Sequence, residues 1–357
     1  MIRYAVVGAG WIAQDAFMPA VAQTGNSVMT AIVSGNAENA QKLADFYGIE
    51  SIFTYQQYPE LLKSGLVDAV YIALPNSMHA EYAIMALEAG VHVMVEKPIA
   101  INEQQARAMI AASNASGALL MTEYRMHHEP LTVDIVERMR DKSLVGEPRM
   151  IHTSFSFVSS ESNHRLLAEH WGGPLQDVGV YCINACRYLF GAEPIEVFGM
   201  SSRPEGDSRF KEIDATFAVT MRFPEGKFAQ FTCSFDAAMD DFIKISGTEG
   251  TVSVEPAYYP FFKMKLHSRT EQDFKVTEGE QVDHFAGIIA YFSECIAKGE
   301  QPESDGVEGL IDVMIMEAIE RSIETGLPQK LTLPQKETRI ERSQAKSLPT
   351  TDRRLVL

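Results

Sequence analysis

Short apolar runs alternate with amphipathic stretches over the first third of the chain. The runs are continuously apolar, as in strands that are buried on both faces of a parallel sheet. They lie at Tyr4–Val7, Val28–Val33, Ala69–Leu74, His92–Val95 and Leu119–Thr122, and the helical stretches between them include Ala37–Tyr47, Ala80–Ala89 and Glu103–Ala115. This β-α-β alternation predicts a doubly wound parallel sheet with right-handed crossovers.

The pattern changes after residue 148, where segments alternate or become rich in β-branched and aromatic residues. These segments are Met150–Val158, Ala215–Phe223, Lys227–Phe235, Phe242–Ser246, Thr251–Glu255 and Lys263–His267. The turns at Pro224–Gly226 and Gly247–Gly250 are short, and short turns join antiparallel strands. We therefore expect an open, mainly antiparallel sheet, interrupted by a helix at Pro174–Phe190 that ends before Gly191 and followed by a helix at Val307–Thr325.

Composition narrows the class of protein. The 357 residues suggest about two domains, and fractions of 46% hydrophobic and 22% charged residues are those of a folded globular protein. With 31 Lys and Arg against 48 Asp and Glu, the net charge is −17. Such a chain is a poor general binder of nucleic acid or anionic membrane, because phosphate contacts need clustered cations.

The sequence also gives expectations about location. No apolar run reaches the length of a membrane helix, and the chain enters a strand at once without a signal peptide. The four cysteines lack a CxxC pair, so we expect buried thiols rather than a zinc site. Together these features predict a cytoplasmic protein.

A glycine-rich turn follows the first strand. The segment Gly8-Ala9-Gly10-Trp11-Ile12-Ala13 fits the pattern G-x-G-x-x-A. In this pattern the first glycine permits the turn, the second lets the backbone approach a pyrophosphate, and the small last residue lets the helix pack on the sheet. Gly8, Gly10, Trp11 and Ile12 are therefore predicted to bind a dinucleotide at a helix N-terminus. The alternative is a glycine-rich turn in a fold that binds no nucleotide.

The end of the second strand bears on which dinucleotide binds. NAD sites usually place Asp or Glu there to hold the ribose hydroxyls. This chain has Val33-Ser34-Gly35-Asn36, without a carboxylate, and Lys42 follows about one helical turn later. Ser34 can donate to a 2′-phosphate that an acidic residue would repel. We therefore predict NADP, with NAD less favoured, and count Ser34, Gly35 and Lys42 as cofactor-binding residues.

A lysine at the end of the fourth predicted strand is the first catalytic candidate. The strand runs into Glu96-Lys97-Pro98, at the edge where open α/β sheets bind ligands. Pro98 permits a cis peptide bond that could aim Lys97 inward.

The helix predicted from residue 174 carries two more candidates. Asp177 and Tyr181 are four residues apart and share a face, and Asn184 and Tyr188 extend this polar stripe, which we expect to face a cleft. A separate apolar stripe packs on the body of the protein and consists of Leu175, Val178, Cys182, Ala185 and Leu189. The alternative is a capped core helix with a hydrogen-bonded tyrosine.

These motifs resemble the glucose–fructose oxidoreductase / inositol dehydrogenase (Gfo/Idh/MocA) family, and within it the glucose–fructose oxidoreductase branch. Over about residues 1–330 the matching segments are Gly8–Ala13, Ser34–Glu38, Leu74–Ser77, Glu96–Pro98, Tyr124-Arg125, Asp177–Tyr181, Arg187–Leu189 and Glu193–Val197. The resemblance implies NADP-linked oxidation of a cyclic sugar at carbon 1 to a lactone, with Lys97, Asp177 and Tyr181 as catalytic residues. Much of the family has His where Tyr181 stands, so the tyrosine favours the sugar and dihydrodiol dehydrogenases.

Two departures from that branch bear on the cofactor. The chain begins at its first strand, whereas the branch has an N-terminal arm over the cofactor, so we expect a freely exchanging cofactor, as in a dehydrogenase. Asn39 stands where the branch has Lys, which weakens the expectation of NADP.

In this interpretation Tyr181 takes the proton of the C1 hydroxyl as hydride leaves C1. A charged Lys97 at about 5 Å would stabilise the phenolate by ~3 kcal/mol at an effective dielectric of ~20. Asp177 would accept hydrogen bonds from the sugar hydroxyls or hold Lys97 in place.

Further residues are candidates for binding through their positions. Leu74, Asn76, His79 and Glu96 follow two strands of the parallel sheet and are expected near the nicotinamide ribose. Lys97 is expected to contact both cofactor and substrate.

Another group lies outside the strand ends. Arg125 resembles a family site arginine and is assigned to both cofactor and substrate. Arg165 and Trp171 precede the helix and could close over the nicotinamide or the sugar. His127 and His128 fit a core or surface role, and no metal site is expected.

We predict three parts of the chain: a Rossmann NAD(P)-binding domain at 1–123, a substrate-binding and dimerisation sheet domain at 124–333, and a polar tail at 334–357. The tail has six basic residues and three acidic ones, among them Glu337. It is either solvated or an arm on an acidic partner subunit. One face of the large sheet would be left apolar unless a second subunit covers it, which predicts a homodimer through sheet faces.

The leading prediction is an NAD(P)-dependent oxidoreductase acting on CH–OH groups, with a glucose- or xylose-type aldose as substrate. One alternative is a carbonyl reductase of a sugar or of a dihydrodiol-type substrate. The other is a non-catalytic NADP-sensing regulatory protein, which the presence of Lys97, Asp177 and Tyr181 disfavours.

Overall fold

The computed structural model describes residues 1–260, 262–336 and 338–357, and over these residues the strands form two sheets. The strands are β1 Ile2–Val7, β2 Ser27–Val33, β3 Ser51–Phe53, β4 Ala69–Ile72, β5 His92–Val95, β6 Leu120–Thr122, β7 Pro148–Ser156, β8 Glu196–Ser202, β9 Thr216–Arg222, β10 Phe228–Ser234, β11 Asp240–Gly247, β12 Thr251–Val254, β13 Lys265–Arg269, β14 Phe274–Glu278 and β15 Gln329–Lys330. The α-helices are α1 Met18–Val21, α2 Ala37–Tyr47, α3 Tyr58–Lys63, α4 His79–Glu88, α5 Glu103–Ser116, α6 Pro130–Arg140, α7 Val180–Phe190, α8 His284–Lys298 and α9 Gly306–Thr325.

The first sheet has the strand order β3-β2-β1-β4-β5-β6, with parallel pairing throughout. This is the doubly wound order in which the direction of winding reverses between β1 and β4, where such sheets bind ligands. The predicted strands coincide with the observed ones to within two residues, because their continuous apolar runs are buried on both faces. Tyr4, Val6, Ile32, Tyr71 and Met94 are fully buried in its core.

The second sheet has the order β14-β13-β12-β11-β7-β10-β9-β8-β15 and is antiparallel except for one pair. β7 and β10 run parallel because the connection between them contains α7, β8 and β9 instead of a tight turn. Alternation along the strands turns Ile151, Phe231 and Ile245 inward and leaves Met150 and Phe228 exposed. The predicted mainly antiparallel sheet is confirmed.

The chain forms two compact units that are interleaved along the sequence. The first unit contains residues 1–129, 282–310 and 344–357, and the second contains 130–281 and 311–343. In the first unit, α8 packs beside β1 and β2, where the hydroxyl of Ser293 bonds to those of Tyr4 at 2.8 Å and Ser27 at 2.7 Å. The predicted division of the chain into domains at residues 123 and 333 stays a prediction.

The C-terminal segment 334–357 is neither a solvated tail nor an arm that leaves its own chain. In the second unit, Ile340 is buried and its carbonyl oxygen accepts from Arg140. In the first unit, Leu348 and Leu355 pack against the core, and Arg354 pairs with Asp15 at 3.1 Å. Both parts therefore pack on this chain through apolar side chains that the polar composition of the segment conceals. Glu337 lies outside the described residues.

Two further expectations concern the whole chain. All four cysteines are buried and unpaired, as the sequence predicts. Within the residues that the structure describes, no helix has both the length and the apolar character needed to cross a membrane.

Candidate functional site

The turn after β1 is built around two glycines with different requirements. Gly8 has a left-handed φ of +92°, and a Cβ there would lie 2.6 Å from the carbonyl oxygen of Ala73, so only glycine fits. Gly10 is exposed, and a Cβ there would have nothing within 4 Å. Gln14 fixes the loop by donating from Nε2 to the Ala9 carbonyl oxygen at 2.6 Å.

The same turn continues into the predicted cofactor-binding residues Trp11 and Ile12. Trp11 is 56% exposed, whereas Ala13 is fully buried where the helix packs against the sheet. The structure therefore combines an open, exposed backbone at Gly10 with a helix that starts directly after it. This arrangement fits the phosphates of a dinucleotide, which need exposed N–H groups at a helix start.

The end of β2 carries no carboxylate at residues 34–36. Ser34 is 9% exposed, and its Oγ accepts from the Asn36 N–H at 3.1 Å. The Asn36 side chain in turn caps α2 by accepting from the Asn39 N–H at 3.0 Å. Lys42 is half-exposed on α2 and pairs with Glu38 at 2.6 Å, so a phosphate would have to compete with that carboxylate.

His79 has a different place from the one expected. It is fully buried, and its Nδ1 and Nε2 lie 2.9 Å from the carbonyl oxygens of Pro98 and Leu74. Burial lowers the pKa of His79. The ring therefore links the segments that follow β4 and β5, and it is not available for direct contact with a ribose. Asn76 begins the short helix Asn76–Met78 between Leu74 and α4.

Two carboxyl groups follow neighbouring strands of the first sheet. Glu96 follows β5 and accepts a hydrogen bond from the buried Tyr71 hydroxyl. Glu123 follows β6, is 1% exposed, and has no hydrogen-bond partner for Oε1 among the described residues. Burial and the nearby Glu96 raise the pKa of Glu123 well above its usual range, while Arg125 and Lys97 oppose this effect. Glu123 was not among the predicted site residues, although it follows a strand just as Glu96 does.

Lys97 and Arg125 supply the positive charge in this part of the first unit. Lys97 is partly buried, and the cis peptide bond that Pro98 permits is present. Arg125 is buried, and its Nη1 donates to Nδ1 of His284 at 3.0 Å. Burial, together with the Arg125 cation, lowers the pKa of His284 to about 3. Nη1 of the Arg125 guanidinium is thus used in a buried hydrogen bond within the first unit.

The two histidines that follow Arg125 are core residues. His127 bonds through Nδ1 to Glu303 at 2.7 Å, and His128 lies 3.2 Å from the carbonyl oxygen of Gln344. Among the described residues, no group of three or more His, Cys, Asp and Glu side chains could hold a metal ion.

In the second unit, Asp177 and Tyr181 lie on one helical segment. Residues 175–179 are wound as a π-helix that continues into α7. Asp177 pairs with Nε of Arg165 at 3.2 Å, so the two predicted substrate-binding residues meet. The Tyr181 ring packs against Phe155 and Tyr258 at centroid distances of 5.6 and 5.8 Å. The segment therefore offers a carboxylate–guanidinium pair and a phenol that neighbouring rings hold in place.

Comparison with known proteins identifies the fold family. Residues 2–124 match the model of an oxidoreductase family with an NAD-binding Rossmann fold, and residues 133–253 match the Gfo/Idh/MocA C-terminal domain. The chain belongs to the Gfo/Idh/MocA oxidoreductase family. The resemblance seen in the sequence and the prediction of an oxidoreductase are thereby confirmed.

Relatives within the Gfo/Idh/MocA family match most of this chain. A D-xylose 1-dehydrogenase [NADP(+)] of Haloarcula marismortui is 32% identical over 332 residues, or 91% of each chain. The structure of an aldose–aldose oxidoreductase from Caulobacter crescentus, complexed with glycerol, has 31% identity and a TM-score of 0.88 over 92% of this chain and 99% of its own. A 3-ketoreductase from Actinomadura kijaniata, in complex with NADP and TDP-benzene, has 27% identity and a TM-score of 0.83 over 90% and 98% of the two chains.

At Asn184 the predicted polar stripe serves packing in this Gfo/Idh/MocA chain. Asn184 is buried and donates from Nδ2 to Asp312 at 3.0 Å, and Arg187 pairs with the same carboxylate at 2.7 Å. The prediction that Asn184 faces a cleft is therefore wrong, because a buried carboxylate on α9 takes its amide. The predicted apolar stripe from Leu175 to Leu189 is buried, as expected.

Trp171 is turned toward α9. Its Nε1 donates to Oε1 of Glu320 at 3.1 Å, and Nε2 of Gln176 donates to the same oxygen at 2.7 Å. No local pattern on α9 distinguishes Glu320 from its acidic neighbours Glu317 and Glu324, so the sequence did not indicate this residue. Lys97 belongs to the first unit and Asp177 and Tyr181 to the second, so their common catalytic role stays a prediction.

Proposed function

We propose that this chain is an NADP-dependent sugar oxidoreductase that transfers hydride between C1 of a cyclic aldose and the nicotinamide and gives a lactone. The observation that carries the proposal is the agreement of two comparisons. The sequence relative is named a D-xylose 1-dehydrogenase, the structural relative is an aldose–aldose oxidoreductase, and each matches more than nine-tenths of this chain.

The cofactor part of the proposal rests on the end of β2. NADP carries a 2′-phosphate that a carboxylate at this position would repel, and Ser34, Gly35 and Asn36 carry none. The xylose dehydrogenase is named for NADP(+), and the 3-ketoreductase structure contains NADP. The loop from Gly8 to Ile12 would hold the pyrophosphate on its backbone. Lys42 would leave Glu38 and pair with the 2′-phosphate instead.

The chemical roles follow from the residue types. When bound, the nicotinamide exchanges hydride with C1 of the sugar. Tyr181 takes the hydroxyl proton as the C1–O bond gains carbonyl character, since a general base must act at that oxygen. The ammonium of Lys97 stabilises the negative charge that Tyr181 or the sugar oxygen carries during this transfer. Asp177, fixed by Arg165, accepts hydrogen bonds from neighbouring sugar hydroxyls.

A panel of aldoses tests the proposal directly. The purified protein is mixed with glucose, xylose and other aldoses and with either NADP or NAD, and the absorbance of the reduced nicotinamide is followed. We expect turnover with at least one aldose, a lower KM for NADP than for NAD, and a lactone as the product. Reduction of a ketose or diketone with no aldose oxidation in any combination would overturn the assignment to C1.

The second sheet also leads us to propose a homodimer. Its outer face carries exposed apolar side chains on three strands, namely Met150, Phe198, Met200 and Phe228. Neighbouring outward positions such as Ala218, Thr220 and Gln230 are small or uncharged. Arg222 lies on the same face and pairs with Glu196 at 3.1 Å. Exposed apolar side chains gathered on a sheet face mark an association surface, and a second copy offers a face of the same composition.

A further inference from the structure

Glu320 holds the segment that leads into the helix of Asp177. Its Oε1 accepts from Nε1 of Trp171 and Nε2 of Gln176, so one carboxylate ties down both ends of residues 171–176. We propose that Glu320 is a positioning residue that fixes this segment and, through it, the Arg165–Asp177 pair. The inference rests on the proposed function, because it assumes that Asp177 faces the substrate.

The segment is held in conformations that need outside support. Trp171 adopts a left-handed φ of +50°, which is unusual for a residue with a side chain. A Cβ at Gly172 would lie 2.2 Å from the carbonyl oxygen of Arg165, and a Cβ at Gly173 would lie 2.8 Å from Oε1 of Gln176. Such backbone persists where its surroundings impose it, and the two hydrogen bonds to Glu320 do so here.

Two contacts pass this constraint on to the proposed substrate pair. The backbone of Gly172 packs directly on the carbonyl of Arg165, whose Nε lies 3.2 Å from Oδ1 of Asp177. The N–H of Asp177 donates to the carbonyl oxygen of Gly173 at 3.1 Å. A shift of residues 171–173 would therefore move both members of the pair.

Glu320 can exchange protons because it lines a cavity of about 260 Å³. Arg203, Glu212, Asp214 and Glu324 line the same cavity. The Arg203 guanidinium forms an ion pair with Asp214 at 3.1 Å. The oxygen of Glu212 accepts from the Ala168 N–H at 3.0 Å, which pins the start of the same loop.

The charge of Glu320 sets the strength of this hold. The pKa of Glu320 is raised to about 7, because burial and, less strongly, the carboxylates of Glu317 and Glu324 raise it by more than the donors Trp171 and Gln176 lower it. A carboxylate accepts hydrogen bonds more strongly than a neutral acid. The hold on the segment is therefore strongest above pH 7 and weakens as the pH falls and the group is protonated.

Tryptophan fluorescence tests the contact without any substrate. The chain has two tryptophans, so Trp11→Phe leaves Trp171 as the reporter. We expect its emission to titrate with a midpoint near pH 7 and this transition to disappear in the Trp11→Phe/Glu320→Gln variant. A parallel pair of variants also carries His170→Gln, which controls for the imidazole next to Trp171. An unchanged transition in the Glu320→Gln variant, or none in the parent, overturns the proposal.

Steady-state kinetics test the consequence for the substrate pair. Glu320→Gln keeps an amide oxygen for both donors and should retain activity but lose the pH dependence of KM near neutrality. Glu320→Ala releases both donors and should lower kcat/KM by about 10- to 100-fold, mainly through KM.

Glu324→Gln is the matched control, because it removes an exposed charge from the same helix and cavity without removing either hydrogen bond to Glu320. It should keep the emission transition, with a midpoint at lower pH because the Glu324 carboxylate raises the pKa of Glu320, and it should leave KM unchanged above pH 7. A Glu320→Ala enzyme with the KM of the parent contradicts the positioning role. Failure of the aldose panel would instead remove the proposed function and leave the fluorescence result standing.

Discussion

Ser34, at the end of β2, carries no negative charge at the position where NAD sites usually have Asp or Glu. Its Oγ accepts from the Asn36 N–H at 3.1 Å and donates to the Asn36 carbonyl oxygen at 3.5 Å, a long hydrogen bond that a phosphate oxygen would have to replace. A carboxylate at this position would accept the same N–H and hold ribose hydroxyls, and it would repel a 2′-phosphate. The preference between the two dinucleotides is therefore a matter of one charge at one residue.

Ser34→Asp should invert this preference. Two like charges about 5 Å apart at an effective dielectric of ~20 repel by roughly 3 kcal/mol, so we expect the Kd for NADP to rise about 100-fold while the Kd for NAD stays level or falls. Isothermal titration with both nucleotides measures this. Ser34→Ala, which adds no charge, should cost much less, and an unchanged Kd for NADP in Ser34→Asp would contradict the assignment.

Side-chain partners were the part of the site that the sequence did not determine. His79, Arg125 and Trp171 stand near strand ends or before the helix, as predicted, but they bond to Pro98, His284 and Glu320. A polar residue after a strand has the same sequence signature whether it binds a ligand or a buried carbonyl. The partners come from residues up to 159 positions away, and no local pattern encodes them.

At the scale of elements, the dinucleotide turn depends on how closely β1 and the segment after β4 approach. Gly8 lies against the carbonyl of Ala73, and this contact fixes the direction in which the chain leaves the sheet. The turn is therefore specified by packing between two strands as well as by its own backbone conformation.

A comparison of two glycines separates these contributions. Gly8→Ala adds a methyl group 2.6 Å from the Ala73 carbonyl oxygen, whereas Gly25→Ala, at a φ of +70°, meets nothing within 4 Å. We expect Gly25→Ala to lower the free energy of unfolding by about 1 kcal/mol and Gly8→Ala by about 3 kcal/mol or more. Urea unfolding monitored by circular dichroism measures both. Equal losses would show that the close approach is unimportant.

Elements with a strong pattern of their own were predictable. The apolar runs of the parallel sheet, α2 and the helix after Pro174 were predicted almost to the residue, because burial on defined faces produces a clear periodicity. β3, β15 and the edge strand β14 were missed, since two to five residues carry too little pattern and depend on a neighbouring strand. The buried helix α8 was missed as well, although its apolar residues complete the core of the first unit.

At the scale of the whole molecule, the outer face of the second sheet carries exposed apolar side chains on β7, β8 and β10. Met200 on β8 is 64% exposed, and Phe198 on β8 and Phe228 on β10 are exposed on the same face. The sequence predicted this face from the alternation of the strands. The interleaving of the two units was not predictable, because it depends on where α8 and the C-terminal segment pack.

Met200→Glu should convert the proposed dimer to a monomer. Burying an unpaired carboxylate at an interface costs several kcal/mol, so light scattering should give the mass of one chain while circular dichroism stays unchanged. Leu66→Glu, a partly exposed position in the first unit, is the control and should leave the mass unaltered. A monomeric mass for the parent protein would contradict the dimer itself.

In the proposed reaction with NADP, Tyr181 takes the proton of the substrate hydroxyl. Tyr181→Phe removes one hydroxyl and keeps the ring contacts with Phe155 and Tyr258, and Tyr188→Phe, on the same helix, is its matched control. Turnover with the best aldose and the Kd for NADP are measured for both variants and the parent. We expect Tyr181→Phe to lower kcat by about 10²- to 10⁴-fold with an unchanged Kd, while Tyr188→Phe stays active. A Tyr181→Phe enzyme with the turnover of the parent would contradict this role of Tyr181.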